Sequence, residues 1–202
     1  MFKQTFSPEN FDDWFKSLKV DPDYKLMKNS KLYISEPGKL AGGLAEKEER
    51  FMTNLAQKIP FVGAIVRASE RAFTSYLNKL RVDVFKSISK KFIKEGADIE
   101  NNPEVFESLA NFINNATGRG DLGKLGRSSQ ILNNIFFSPR LIASRANMLN
   151  PAWYLKQTPQ VRKEAVKSFA EFVGIGATIL ALAKASGAKV ETDPRSSDFG
   201  KI

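Results

Sequence analysis

The residues with the clearest chemical potential lie between positions 115 and 145, where glycines alternate with arginines and lysines. Gly118, Gly120 and Gly123 follow the order GxGxxG, which can cradle dinucleotide phosphates. That motif needs a preceding strand in a βαβ unit, whereas a helical pattern precedes this stretch, and no Walker-type GK[ST] sequence is present. The glycines therefore predict a turn between helices, with capping and positive-φ positions, rather than a nucleotide site.

Phosphate contact by basic side chains is the second chemistry that this region could support. Residues 116–149 carry five basic residues and one acidic residue, and residues 67–95 carry eight basic and three acidic ones. Cations concentrated in this way attract polyanions. The candidate nucleic-acid contacts are Arg67, Arg71, Arg119, Lys124, Arg127, Arg140 and Arg145. A solvated face that keeps the protein soluble explains the same charge without a ligand.

Catalysis is poorly supported by the composition. The 202 residues include no cysteine and no histidine. This excludes disulfides, thiolate metal sites, a cysteine nucleophile and the Ser-His arrangement, and it removes the usual general base. Carboxylates, lysine or tyrosine would have to act instead, and solvated faces explain the short acidic clusters at residues 12–13 and 46–49. We expect no enzyme, no cofactor, no metal site and no small-molecule substrate.

The elements that must position these residues are predicted to be helices. Ser-Pro, Asn-Pro or Thr-Pro pairs precede apolar residues that recur at spacings of three and four, and they predict helix starts at Pro8, Pro103, Pro139 and Pro159. The last helix is expected to cover residues 159–186 and to end at Gly187. The N-terminus has no apolar segment typical of a secretory signal.

The longest periodic stretch runs from residue 61 to about residue 96 and predicts the spine of a helical bundle. Its apolar stripe includes Phe73, Leu77, Leu80, Val84, Ile88 and Phe92. Its polar face is expected to carry Asn78 and Arg81 together with lysines. The predicted fold is all-α, an irregular bundle around this long central helix. We expect a helical arm over residues 1–45, a bundle domain over 46–187 and an extended, truncated polar tail over 188–202.

The second half of the last helix contains an apolar run, residues 172–183 (FVGIGATILALA). Burial in the core is the simplest expectation. Its 12 residues fall short of the roughly 20 that span a bilayer, so the sequence alone does not favour a membrane partner. Insertion after a conformational change is the sharper alternative, and the glycines allow close approach of another helix. The candidate partner or membrane contacts are Val173, Ile175, Ile179, Leu180 and Leu182.

Four separated segments resemble a helical domain of the large polyvalent proteins of tailed phages and related mobile elements. They read EERFMTNLAQKIPFVGAIVRASERAFTSYLNKLRVDVF, LANFINNATGRGDLG, LNNIFFSPRLIASR and VETDPRSSDFGKI, within residues 48–202. The resemblance implies a module of a larger protein that travels with a phage genome, in the virion or the bacterial cytoplasm. It also implies a short β-rich segment beyond residue 202, so we expect a split or fragmentary chain.

Two hypotheses follow for the function. In the first, the chain is a non-catalytic module whose basic face contacts nucleic acid without sequence preference, or contacts a virion partner. In the second, it is a structural or assembly module that joins virion proteins, or touches a membrane, through the apolar run. Other domains of the larger protein are expected partners under both hypotheses, and the oligomeric state stays open. The first hypothesis requires the candidate arginines to share one surface, and the membrane alternative requires an exposed apolar run.

Overall fold

The computed structural model describes residues 8–35, 62–123, 138–193 and 195–202, with side chains from residue 12 in the first range and from residue 72 in the second. These ranges hold seven helices and no strand, which confirms the all-α prediction. The helices are α1 (Pro8–Lys19), α2 (Tyr24–Asn29), α3 (Val62–Lys94), α4 (Pro103–Ala116), α5 (Pro139–Leu149), α6 (Pro151–Leu155) and α7 (Pro159–Ala185).

Local sequence signals determine where these helices begin and end. Each of α1, α4, α5 and α7 starts at the proline predicted to start it. At α5 the Ser138 hydroxyl accepts a hydrogen bond from the backbone N–H of Leu141, which is N-cap geometry. Gly96 and Gly187 follow α3 and α7 with φ of +97° and +91°. Glycine adopts that left-handed conformation without the steric cost that a Cβ would add, and it therefore ends both helices.

The chain divides into two compact units, residues 1–161 and 162–202. In the first unit α4 packs against α2, α3 and α5, and α3 also packs against α1. The short helix α4 thus packs against three other helices. Its buried side chains come from nearly every turn and include Phe106, Leu109 and Ile113. The unit boundary after Val161 falls inside the region predicted as one domain, and α7 crosses it.

The buried face of α3 differs from the predicted stripe. Phe73 and Leu80, assigned to that stripe, are 48% and 37% exposed, whereas Asn78 and Arg81, assigned to the polar face, are fully buried. The buried side chains form a face that is displaced around the helix from the predicted stripe, and they are Ser75, Asn78, Arg81, Val82, Phe85, Ser89 and Phe92. The prediction was wrong for this part of α3 because hydropathy does not count the buried hydrogen-bonding partners that allow polar side chains to turn inward.

Those partners include the segment of residues 31–35, which follows α2 without regular structure. Asn78 on α3 accepts a hydrogen bond from the N–H of Ser35 at 2.9 Å and donates to its carbonyl at 2.7 Å. Asn114 on α4 accepts from the N–H of Tyr33 at 2.9 Å and donates to the carbonyl of Lys31 at 3.0 Å. Two amide side chains therefore satisfy backbone groups of a segment that has no helix or strand of its own.

An ion pair attaches the turn between α1 and α2 to the long helix. Lys86 on α3 lies 2.6 Å from a carboxylate oxygen of Asp21 and 3.5 Å from one of Asp23. The hydrogen bond that Lys86 donates lowers the pKa of Asp21, and the same hydrogen bond raises the pKa of Lys86. Both side chains are about a quarter exposed, so the pair mainly fixes the register of the turn on α3.

The second unit consists of most of α7 and the residues that follow it. Residues 188–193 leave the helix without regular structure, and turns at 195–200 bring the chain back. The N–H of Gly200 bonds to the carbonyl of Glu191 at 2.9 Å, and the N–H of Glu191 bonds to that of Lys201 at 3.2 Å. The predicted extended tail is therefore a closed loop in its described residues. Its polar composition favours turns because Asp193 and Ser196 accept hydrogen bonds from nearby backbone N–H groups.

We expect Phe106→Ala to lower the free energy of unfolding by about 3–5 kcal/mol, because Phe106 is fully buried on α4. Phe172→Ala is the matched control, since Phe172 is 75% exposed on α7 and its truncation should change stability by less than about 0.5 kcal/mol. Urea denaturation of both variants checks the prediction. Equal losses of stability in the two variants would contradict the burial of Phe106 or the exposure of Phe172.

Candidate interaction surfaces

The glycine-rich stretch after α4 has a packing role in its described part. A Cβ added to Gly120 would lie 2.2 Å from the backbone nitrogen of Ser144 on α5, so only glycine fits there. The N–H of Gly120 also donates to the carbonyl of Arg140 at 3.1 Å. Gly118 and Gly123 have φ of +85° and +52°. Close contact and positive φ thus account for the three glycines of the GxGxxG order, as expected for a turn between helices.

Arg119 does not belong to an open basic surface. It is 7% exposed, and its Nη2 donates to the hydroxyl of Tyr33 at 2.6 Å. Its guanidinium lies 3.8 Å from the centre of the Tyr33 ring, and that of Arg81 lies 5.1 Å from the same centre. Arg81 also donates to the Thr117 hydroxyl at 2.8 Å. The prediction that Arg119 contacts nucleic acid is wrong in this structure, because cation–π contact and hydrogen bonding hold it inside the fold.

Tyr33 is a structural residue that the sequence pattern does not reveal. It lies in the segment of residues 31–35 that follows α2, and no periodic pattern marks it. The available signal was weak: a tyrosine in a helical protein with several arginines can offer its ring and its hydroxyl to a guanidinium.

Of the remaining basic candidates, Arg140 and Arg145 have described side chains. Arg145 is exposed on α5, and Arg140 is half-buried, with its carbonyl occupied by Gly120. Arg67 and Arg71 belong to α3, but their side chains lie outside the described part. Lys124 and Arg127 also fall outside the described residues. Arg145 is therefore exposed and Arg119 is buried, so of these two candidates only Arg145 is accessible to a nucleic acid.

The apolar run of α7 is exposed, whereas burial was the simplest expectation. The exposed fractions are 75% for Phe172, 62% for Ile175 and 64% for Leu182, and Val173 and Ile179 are at least half exposed. Leu180 is half-buried, with its Cδ1 3.9 Å from where a Cβ on Gly200 would lie. α7 is long and apolar enough to cross a membrane by length and composition, with 6% of its most apolar window buried. The expectation of core burial was wrong here because periodicity marks apolar residues, not the partner that covers them.

The apolar run also lacks unsatisfied polar groups of its own. Its one polar side chain, Thr178, donates to the carbonyl of Gly174 one turn earlier at 2.8 Å. Other helical backbone groups of the run are paired by the helix itself, as in any segment that has to leave water. A shallow groove on one side of the run is lined by Glu171, Gly174, Ile175, Thr178 and Ile179.

Charged residues lie next to both ends of the apolar run. Glu171 precedes it and lies 3.8 Å from Lys167, one turn back on the same helix. Lys184 follows it in the last turn of α7, and Lys189 follows in the tail; both are exposed. No acidic or basic residue occurs between Glu171 and Lys184. The groove therefore has a single carboxylate, that of Glu171, which is paired with Lys167.

No group of three or more metal-ligating side chains occurs in the part of the chain that the structure describes. Comparison of the chain with family models, curated proteins and solved structures gives no match.

Arg119 and Arg145 should respond differently to the same substitution. We expect Arg119→Ala to lower the free energy of unfolding by about 1.5–3 kcal/mol, the range for a hydrogen bond to a charged group. Arg145→Ala removes an exposed cation and should leave stability within about 0.5 kcal/mol of the parent. Thermal unfolding followed by circular dichroism measures both, and an unchanged Arg119→Ala variant would show that the Tyr33 contact contributes nothing.

Proposed function

We propose that this protein is a non-catalytic helical interaction module that binds its partner through the apolar run of α7. The observation that supports the proposal is the exposure of Phe172, Ile175 and Leu182 in a run of 12 residues without a charge. Contiguous exposed apolar surface of this kind marks interaction sites, because leaving it in water is unfavourable. The phage setting implied by the resemblance to polyvalent proteins stays a prediction.

The rest of the structure fits a scaffold that presents this helix. The first unit has a core of its own, with Phe85, Phe106 and Leu109 at zero exposure. Removing the apolar character of the run should therefore leave that core intact. The effect of substitution on stability therefore distinguishes an interaction surface from a part of the core, since core substitutions destabilise the fold and surface substitutions do not.

The double variant Ile175→Gln/Ile179→Gln tests the proposal. Both positions are more than half exposed, so we expect the unfolding temperature to stay within a few degrees of the parent. Fluorescence of the probe ANS, which reports accessible apolar surface, should fall several-fold in the folded state. Val20→Gln is the control: Val20 is 83% exposed but isolated in the turn after α1, and its loss should not change the signal. A double variant that unfolds like Phe106→Ala would identify the run as core and end the proposal.

Non-specific contact with nucleic acid is the second candidate function. It is favoured by the net charge of +9 and by exposed Lys90 and Lys94 in the last turns of α3, in addition to exposed Arg145. Part of that charge suits the helix dipole, which is a structural reason for the lysines.

The second candidate predicts binding to a random duplex that weakens steeply between about 50 and 200 mM salt, through counterion release. Lys90→Glu/Lys94→Glu should reduce that binding, whereas Ile175→Gln/Ile179→Gln should leave it unchanged. Fluorescence anisotropy with a labelled duplex measures both. Absence of binding at about 50 mM salt would eliminate nucleic acid as the partner.

A further inference from the structure

We propose that the partner covering the apolar run is a lipid bilayer with anionic headgroups, into whose interface the run enters. This inference rests on the proposed function and names the partner of the same surface. The choice of lipid over a second protein comes from how the exposed apolar side chains are distributed around α7, and from the charges at the two ends of the run.

Exposed apolar residues occupy opposite sides of the helix. Val173 and Leu182 are nine residues apart, or about two and a half turns, so their side chains project in opposite directions. They are 50% and 64% exposed. One partner helix could cover the stripe of Phe172, Ile175, Ile179 and Leu182, whose three-four-three spacing suits a short helical seam. It could not also cover Val173, whereas acyl chains can surround both sides.

α7 as a whole is long enough to cross a bilayer, but the uncharged run between Glu171 and Lys184 is not, and its charged ends favour insertion into the interface. Twelve helical residues extend about 18 Å, against about 30 Å of bilayer hydrocarbon. Lys184 at one end, and Glu171 with Lys167 at the other, can all stay at headgroup level if the helix lies near the membrane surface. The pairing of Glu171 with Lys167 brings the boundary carboxylate next to a compensating charge.

The tail places polar groups beside the C-terminal part of the run. Residues 188–202 fold back so that Gly200 lies near Leu180 on α7, and the loop carries Glu191, Asp198 and Lys201. An interfacial helix needs one polar side toward water and apolar sides toward lipid. Leu180 is seven residues from Val173 and therefore lies on the same side of α7, so the loop is next to the C-terminal end of that side. Gly174, Ala177 and Ala181 lie on the side that has no large apolar residue, and that side would face water. Lys184 and Lys189 add exposed cations that attract anionic headgroups.

A site-specific fluorescence measurement on the full chain tests the inference. The chain contains no cysteine, so Ile175→Cys supplies one thiol for the environment-sensitive label NBD. We expect vesicles of phosphatidylcholine with about 30% phosphatidylglycerol to shift the NBD emission to shorter wavelength and to increase its intensity several-fold, as entry into an apolar medium requires. Val20→Cys with the same label is the control, because Val20 is exposed in the first unit and outside the run. Its emission should not change.

The charge contribution is tested separately on the labelled protein. Lys184→Gln/Lys189→Gln should weaken binding to the anionic vesicles by about 25-fold at low salt, since each lysine near such a surface contributes a factor of about five. Because the labelled run is unchanged, the emission shift at saturation should be kept. An affinity equal to that of the parent would overturn the role of anionic headgroups.

Three outcomes overturn the lipid partner, and they separate this inference from the proposed function. If the thiol at position 175 reacts readily with NBD but vesicles change nothing, lipid is not the partner and the exposed surface remains. If the emission shifts without vesicles as protein concentration rises, and sedimentation gives twice the monomer mass, the partner is a second copy. If the thiol does not react in the folded protein, the run is buried and the proposed function fails together with the lipid partner.

Discussion

The structure of the first unit depends on the need to satisfy the backbone of residues 31–35. This segment follows α2 without a helix or strand of its own, so the N–H and C=O groups that α2 does not pair need partners from side chains. Asn78 and Asn114 provide them, one from each helix. The clamped segment places the Tyr33 ring beside Arg81 and Arg119. Each of these polar groups can be buried because the others are its hydrogen-bonding or cation–π partners. These contacts fix α3 and α4 in register.

The sequence was sufficient to predict where the helices begin and end, but not the contacts that their side chains make. Pro139 and Pro159 start helices and Gly187 ends one because these residues constrain φ or the backbone N–H locally. The burial of Asn78, by contrast, depends on a hydrogen-bond partner 43 residues away, which no periodicity encodes. The positive φ expected of glycines in the GxGxxG order is found at Gly118 and Gly123, but the contact of Gly120 with α5 became visible only in three dimensions. Arg119 shows the same limit: sequence gives its charge, and only the fold gives its neighbours.

The two units differ in how their apolar residues are used. In the first unit the large apolar side chains of α4 are turned inward, with Phe106 and Leu109 at zero exposure. In the second unit an equally apolar segment is left in water, and the chain has no charge there to make the exposure favourable. Such a segment is expected to have low local stability until it is covered, because few buried contacts hold it. The proposal of an interfacial lipid partner explains this contrast with one requirement, that α7 completes its burial only at a membrane.

Hydrogen–deuterium exchange with and without anionic vesicles tests that requirement most directly, because it reads each segment of the unmodified chain. The account predicts that amides of residues 172–183 exchange quickly in the free protein and become strongly protected when vesicles are added. Amides of α4 should be equally protected in both states, since that helix is buried in the first unit. Protection of residues 172–183 that is the same with and without vesicles would contradict the account.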